Sequence, residues 1–311
     1  MVDAPGQTRQ WVVAEGGERL DQHLAASVEA LSRTQARKLI EAGEVLVNGR
    51  TAKPSLLLQP GDRIEVTLPP VPDLAVRPEP LELVVVYESA DVVVVDKPAG
   101  VLVHPTSHDR SGTLVNAMLW RYPEIQGVGP SERSGVVHRL DRDTSGLVAF
   151  GRTHTGLRGM QEQFRRHEVW KTYLALVAGA PSPEAGIIDA PVGRHPQHRA
   201  RQAVVRQGGR PARTQYETLE RLSGYTLIHA HPLTGRTHQI RVHFAAVGHP
   251  VAGDPVYGRG RRDLGLERQF LHAHALRFTD PGTGETVSVE SPLPEDLEQV
   301  LNQLRGHLAG G

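Results

Sequence analysis

The densest chemical text in the chain is HRLDRDTSG, His138 to Gly146, followed directly by the apolar run LVAF. Four chemistries could use it. Asp141 and Asp143 could be the acid and base of a glycosidase, but residues two apart share a face only in a strand, and no second acidic cluster accompanies them. Histidines could bind a metal: the chain has 16, with His272 and His274 in LHAHALRF and His238 and His243 in GRTHQIRVHF. Arginines interleave these, a nearby cation opposes a second one, and HExxH spacing is absent, so no metal is expected. Ser145 lacks the GxSxG elbow of a serine hydrolase. The fourth chemistry is a single aspartate acting as a nucleophile, which must be ionised and held in one pose. An arginine beside it serves both needs. At ~4 Å and an effective dielectric of ~20 the attraction is ~4 kcal/mol before desolvation, and an aspartate's pKa falls by about 1–3 units. A structural buried ion pair fits the same segment equally well.

Two groups of elements must position these residues. In residues 18–67, Leu20, Leu24 and Val28 are spaced for one helix face. Ser32 can cap a second helix, SRTQARKLIEAG, which Gly43 would stop. Leu39 and Ile40 would face inward while Arg33, Arg37 and Lys38 stay in water. EVLVNG reads as a strand entering an Asn-Gly turn, and LQPGDRIEV as a turn and strand. Residues 68–80 hold five prolines in thirteen positions, a stiff linker. In residues 81–306, LELVVVYE and DVVVVDKP read as strands, the second covered on both faces. GTLVNAMLW and TGLRGMQEQF have helical spacing. A last helix begins near Glu295, with Leu297, Val300, Leu301 and Leu304 on one face. Strict βαβ alternation is absent, so the expectation is an α+β domain around a mixed, largely antiparallel sheet.

Composition narrows the function. The chain is 39% hydrophobic, without the ~18-residue apolar run of a membrane span, and no membrane association is expected. The first residues carry acids and no apolar core of a secretory leader. Cysteine is absent, which removes thiolate nucleophiles and Cys-type zinc sites and makes the cytoplasm the default location. Formal net charge is zero, yet Ala190 to Tyr216 carries six arginines (Arg194, Arg199, Arg201, Arg206, Arg210, Arg213) and no acid. Such a patch suits phosphate neutralisation, though a solvated hairpin would look the same.

Several blocks together resemble known families. RLDQHLA, SRTQARKLIEAGEVLVNG and PGDRIEV resemble the S4 RNA-binding domain, whose basic second helix would track an RNA backbone. GVVHRLDRDTSGLVAF resembles the HRLDxxTSG motif of the RluA/RluD family of RNA pseudouridine synthases. VVVVDKPAGVLVHP, KTYLALV, PLTGRTHQIRVHFAAVGHPVAGDPVYG and LHAHALRF follow in that family's order, so the resemblance spans nearly the whole chain.

The resemblance implies roles. Asp141 would be the catalytic aspartate, Tyr173 the ring that packs on the target base, and Arg241 the cation paired with the aspartate. Arg139 would help extrude the base. Beyond the resemblance, His138, Thr144, Arg236 and His238 are candidates near the substrate, and Arg194, Arg199 and Arg201, from the arginine-rich stretch, candidates for flanking phosphates. Thr144, Ser145 and Gly146 read as a turn positioning Asp141. Pseudouridine formation cuts the N1–C1′ bond of uridine, turns the base and rejoins it through C5, with no redox step, so no cofactor is expected. The aspartate could attack C1′, add to C6 or give a glycal, and the tyrosine hydroxyl could assist loss of the C5 proton. The implied substrate is RNA, most closely that of the large ribosomal subunit, and the chain is taken as a monomer. The competing reading is an RNA-binding assembly factor that works mainly by binding.

Overall fold

The structure is a computed structural model that describes residues 8–28, 31–68, 76–198, 201–258 and 264–309. Arg199 and residues 69–75 of the expected linker lie outside the described residues. The chain divides into two compact units, with the division after Leu74.

The smaller unit runs β1 (Thr8–Val12), α1 (Leu20–Ser27), α2 (Arg33–Glu41), β2 (Val45–Val47), β3 (Arg50–Thr51) and β4 (Arg63–Thr67). Ser32 starts α2 through a reciprocal capping box with Gln35. Asn48 and Gly49 take the positive φ of the tight β2–β3 turn. Leu20, Leu24, Val28, Ala36 and Ile40 are buried against the sheet, while Leu39 is only half-buried. Strand β1, which no sequence pattern singled out, pairs with β4 along its whole length and places this unit's start ahead of residue 18. Arg33, expected to stand free in water, bonds the buried Asp21 together with Arg19, and Arg37 pairs with Glu41 one turn on. Of the three basic α2 residues, Lys38 alone has no acidic partner among the described residues.

The larger unit contains β5 (Val84–Glu88), β6 (Val92–Lys97), α3 (Leu114–Arg121), β7 (Ser145–Gly151), α4 (His154–Arg166), β8 (Trp170–Ala178) and β9 (Ala185–Asp189). It continues through β10 (Val192–Arg194), β11 (Gln202–Val204), β12 (Arg213–Leu222), β13 (Tyr225–Pro232), α5 (Gln239–Ala246), β14 (Leu271–Thr279), β15 (Thr286–Glu290) and α6 (Glu295–Ala309). Nine strands form one sheet in the order β5-β6-β7-β14-β8-β13-β12-β9, with β15 on β14. Among the described residues only the β7–β14 pairing is parallel. The class is therefore α+β with a mixed, largely antiparallel sheet.

β6 is buried on both faces, as its β-branched run requires. Val93 and Val95 pack with Met118 of α3 and Phe150, while Val92 and Val94 pack with Met160 of α4 and Phe278. A second core joins β8, β12 and β13 to α5 and α6 through Ile228, Phe244, Leu297 and Leu301. Tyr173 packs against both this core and the α3 core, and so stands at the seam between them.

Candidate active site

The segment from His138 to Thr144 is an irregular loop leading into β7. Its backbone is held carbonyl by carbonyl. Thr144 N–H donates to Asp141 O (3.2 Å), and Lys97 Nζ donates to Arg142 O (2.7 Å), Pro98 O (2.8 Å) and Val101 O (2.8 Å). Arg268 donates to Asp143 O (3.2 Å). Lys97 is fully buried, and burial pushes its pKa down to about 7. Three carbonyl acceptors nevertheless require the three N–H groups of an ammonium. A loop fixed at three successive carbonyls gives Asp141 little freedom.

The Thr-Ser-Gly reading needs one correction. Only Thr144 belongs to the turn; its hydroxyl points inward and accepts from Gln269 Nε2 (3.1 Å). Ser145 and Gly146 are already strand. Ser145 Oγ lies 3.0 Å from His272 Nδ1 and accepts from Arg268, a buried structural role. Gly146 has φ +109, and a Cβ there would lie 2.3 Å from Ala273 O, so only glycine permits the parallel β7–β14 contact.

Neither arginine that flanks Asp141 in sequence pairs with it. Arg139 donates to His104 Nε2 (3.2 Å) and Arg142 to Asp109 (2.7 Å). The partner is Arg241, on the inward face of α5: its Nη1 donates to Asp141 Oδ2 at 2.9 Å. The rest of its fork donates to Asp254, from Nε at 2.7 Å and from Nη2 at 3.0 Å. Asp254 also accepts the Val256 and Tyr257 backbone N–H groups. Burial opposes the guanidinium charge, but Asp254 and then Asp141 outweigh it and raise Arg241 above its ordinary value. Among the described residues none bonds Asp141 Oδ1.

His238, the residue capping α5, has φ 56, a left-handed conformation uncommon outside glycine. Its Nδ1 is 2.9 Å from the Tyr257 hydroxyl, which accepts from Gln202 N–H (3.0 Å). The Tyr257 hydrogen is thus free for Nδ1, and an Nε2–H then faces Asp141 at 3.9 Å. Burial pushes the His238 pKa down, keeping the ring neutral. His138, in contrast, is committed to the fold: Nε2 accepts Ala149 N–H (3.0 Å) and the ring stacks on Phe164. Burial pushes its pKa down to about 3.

These groups surround a pocket of about 570 Å³, within the ~300–1,000 Å³ range of small-ligand sites. Asp141, Tyr173 and Arg241 line it, as do His138, Arg139, Thr144, Arg236 and His238. Burial, then the Asp141 charge, push the Tyr173 phenol up, so it stays protonated and is a poor proton acceptor. Arg236 lies at the rim, donating to Pro211 O (3.0 Å), with Arg210 beside it. Arg194 and Arg201 do not line the pocket. They stand exposed on the β10–β11 hairpin, which Gln202 ties to the site through Tyr257. Arg213 is bound to Asp189.

Sequence reasoning missed Asp254, Tyr257, Lys97 and Lys171. A buried arginine needs a carboxylate, and Asp254 stands in the very block that carries Arg241. Lys171 lies two residues before Tyr173 on β8, hence on the same face, and lines the pocket. Burial lowers its pKa to about 8.

Residues 91–246 match the RNA pseudouridylate synthase family, and residues 18–64 match the S4 domain. An uncharacterized RNA pseudouridine synthase of Chloroflexus aurantiacus is 48% identical, covering 93% of this chain and 90% of that one. The ribosomal large subunit pseudouridine synthase D of Xanthomonas campestris is 40% identical, covering 96% of this chain and 92% of that one. Among solved structures, human RNA pseudouridylate synthase domain containing 1 aligns with a TM-score of 0.55 at 30% identity, over 72% of this chain and 95% of that one.

Proposed function

This chain belongs to the RNA pseudouridylate synthase family and is an RNA pseudouridine synthase, and on that premise we propose that it isomerises uridines of large-subunit ribosomal RNA through Asp141. The observation that carries the assignment of Asp141 is the clamped guanidinium. Asp254 fixes Arg241 from one side, leaving Nη1 to hold one oxygen of Asp141, which lines the pocket. C1′ attack, C6 addition and glycal formation all start from that anion. No redox step and no phosphate transfer enters the isomerisation, so its chemistry calls for no cofactor.

Tyr173 would stack on the uracil, a contact worth ~1–3 kcal/mol per base, and hold it while it turns. Its hydroxyl, held neutral, can donate a hydrogen bond to the uracil. Flipping the nucleotide costs a few kcal/mol. Arg139, Arg236 and Lys171 at the pocket, and Arg194, Arg199 and Arg201 of the arginine-rich stretch 190–216, would offset that through phosphate contacts. Residues 18–67, with Arg33, Arg37 and Lys38, would serve as a separate RNA anchor, residues 68–80 as a linker and residues 81–306 as the catalytic part of a cytoplasmic monomer.

Chemical mapping of pseudouridines in large-subunit RNA tests the substrate. Cells lacking the chain should lose modification at specific uridines, wild type should restore it, and Asp141→Ala should not. An unchanged map would refute the substrate. Restoration by Asp141→Ala would refute the role of Asp141.

A further inference from the structure

The register of β12 and β13 sets Glu217 opposite His229, with His231 two residues along the same strand face. Tyr173 pairs with Ala230, so it lies on the other face of the sheet, and this cluster is separate from the catalytic pocket. His229 Nδ1 lies 3.2 Å and His231 Nε2 3.7 Å from the same Glu217 Oε1. The three donor atoms all lie within 4.8 Å of one another.

His231 is pre-set as a ligand. Its Nδ1 lies 3.3 Å from both the Lys171 carbonyl, which can only accept, and the Thr172 hydroxyl, which can accept or donate, so a ring hydrogen on Nδ1 satisfies both. The Nε2 lone pair of the neutral ring then faces a carboxylate oxygen. Two electron-rich atoms are poorly matched at that distance unless a cation lies between them. A ring nitrogen held by a backbone carbonyl is also the usual outer support of a metal-bound imidazole. Trp170 packs against His231 with ring centroids 4.8 Å apart and planes tilted by 36°, and walls one side. Glu217 is exposed and can swing to close the set.

We propose that Glu217, His229 and His231 form a binding site for a borderline divalent cation of the zinc type, with a fourth position open to water. Two imidazoles and one carboxylate suit zinc and bind magnesium or calcium poorly. Occupancy would tie β12 to β13 beside β8, the strand that carries Tyr173, without entering the pocket.

The test is zinc titration of the full-length, chelator-treated protein by competition with a zinc-sensitive dye, with magnesium as the control. Wild type should bind one zinc at micromolar or tighter affinity, and its thermal midpoint should rise with zinc. His231→Gln and His229→Gln should each weaken that zinc at least tenfold while keeping the wild-type circular dichroism. His195→Gln/His198→Gln, which removes another close histidine pair, should leave it intact. Cobalt substitution gives a second reading, as a visible absorption band lost in His231→Gln. Wild type without a stoichiometric zinc, or with a zinc that survives both single substitutions, would overturn the site.

Discussion

The pocket and the β10–β11 hairpin both carry arginines, but they hold them in opposite ways. In the pocket Arg241 has every arm of its fork committed, and Asp254, its main partner, is buried. On the hairpin Arg194, Arg201 and Arg206 are exposed and have no acidic partner among the described residues. A charge that must sustain one reactive pose is immobilised and desolvated, so it is costly to disturb. A charge that must meet phosphates on a variable surface stays solvated, where its value depends on salt.

This contrast can be broken at graded cost. Among changes that leave the Asp141 carboxylate in place, Asp254→Asn should have the largest effect, because it removes the buried carboxylate that takes two arms of the Arg241 fork and leaves Asp141 to balance the charge. We expect a loss of about 3–5 kcal/mol by urea unfolding, with single-turnover activity of the folded fraction down more than ~10-fold. An unchanged unfolding midpoint would mean that Arg241 is not clamped.

His138 sharpens the comparison from the acid side. Its pKa is about 3 when folded and near 6.5 when unfolded, so between those values the unfolded chain binds more protons. Stability therefore falls as pH drops below about 6.5. Because the ring is only partly buried, the loss is limited to about 1–2 kcal/mol at pH 5. His138→Gln should flatten this slope in melts from pH 7 to 5; an equally steep variant would remove His138 as the cause.

The smallest effect belongs to the hairpin. Arg194→Gln/Arg201→Gln should change stability by under about 0.5 kcal/mol. It should lower the slope of log affinity against log salt by ~1.4, at ~0.7 per phosphate contact to single-stranded RNA. Turnover on saturating RNA should stay within about twofold. A wild-type salt slope in the variant would show that these arginines face away from RNA.

How much of this was legible in sequence depended on the range of the interaction. β6, α2 and α6 were readable because a β-branched run, a capping box and a four-residue apolar stripe act within a dozen residues. β1 was not, since its partner strand β4 lies more than fifty residues away. The placement of β14 between β7 and β8 was equally invisible, and with it the reason for Gly146, which is the Ala273 carbonyl rather than a turn. The Asp141–Arg241 pair spans 100 residues. Local reading offered Arg139 and Arg142 instead, which bond His104 and Asp109; family resemblance supplied Arg241, and only geometry supplied Asp254.

The central claim is that the carboxylate of Asp141 reacts with the flipped uridine. Its most direct test is single-turnover release of tritium from C5-labelled uridine in large-subunit RNA, with enzyme in excess. Wild type should release label in a fast phase, and Asp141→Asn, equally folded and still binding RNA, should release none above background. Release by Asp141→Asn at the wild-type rate would contradict the account.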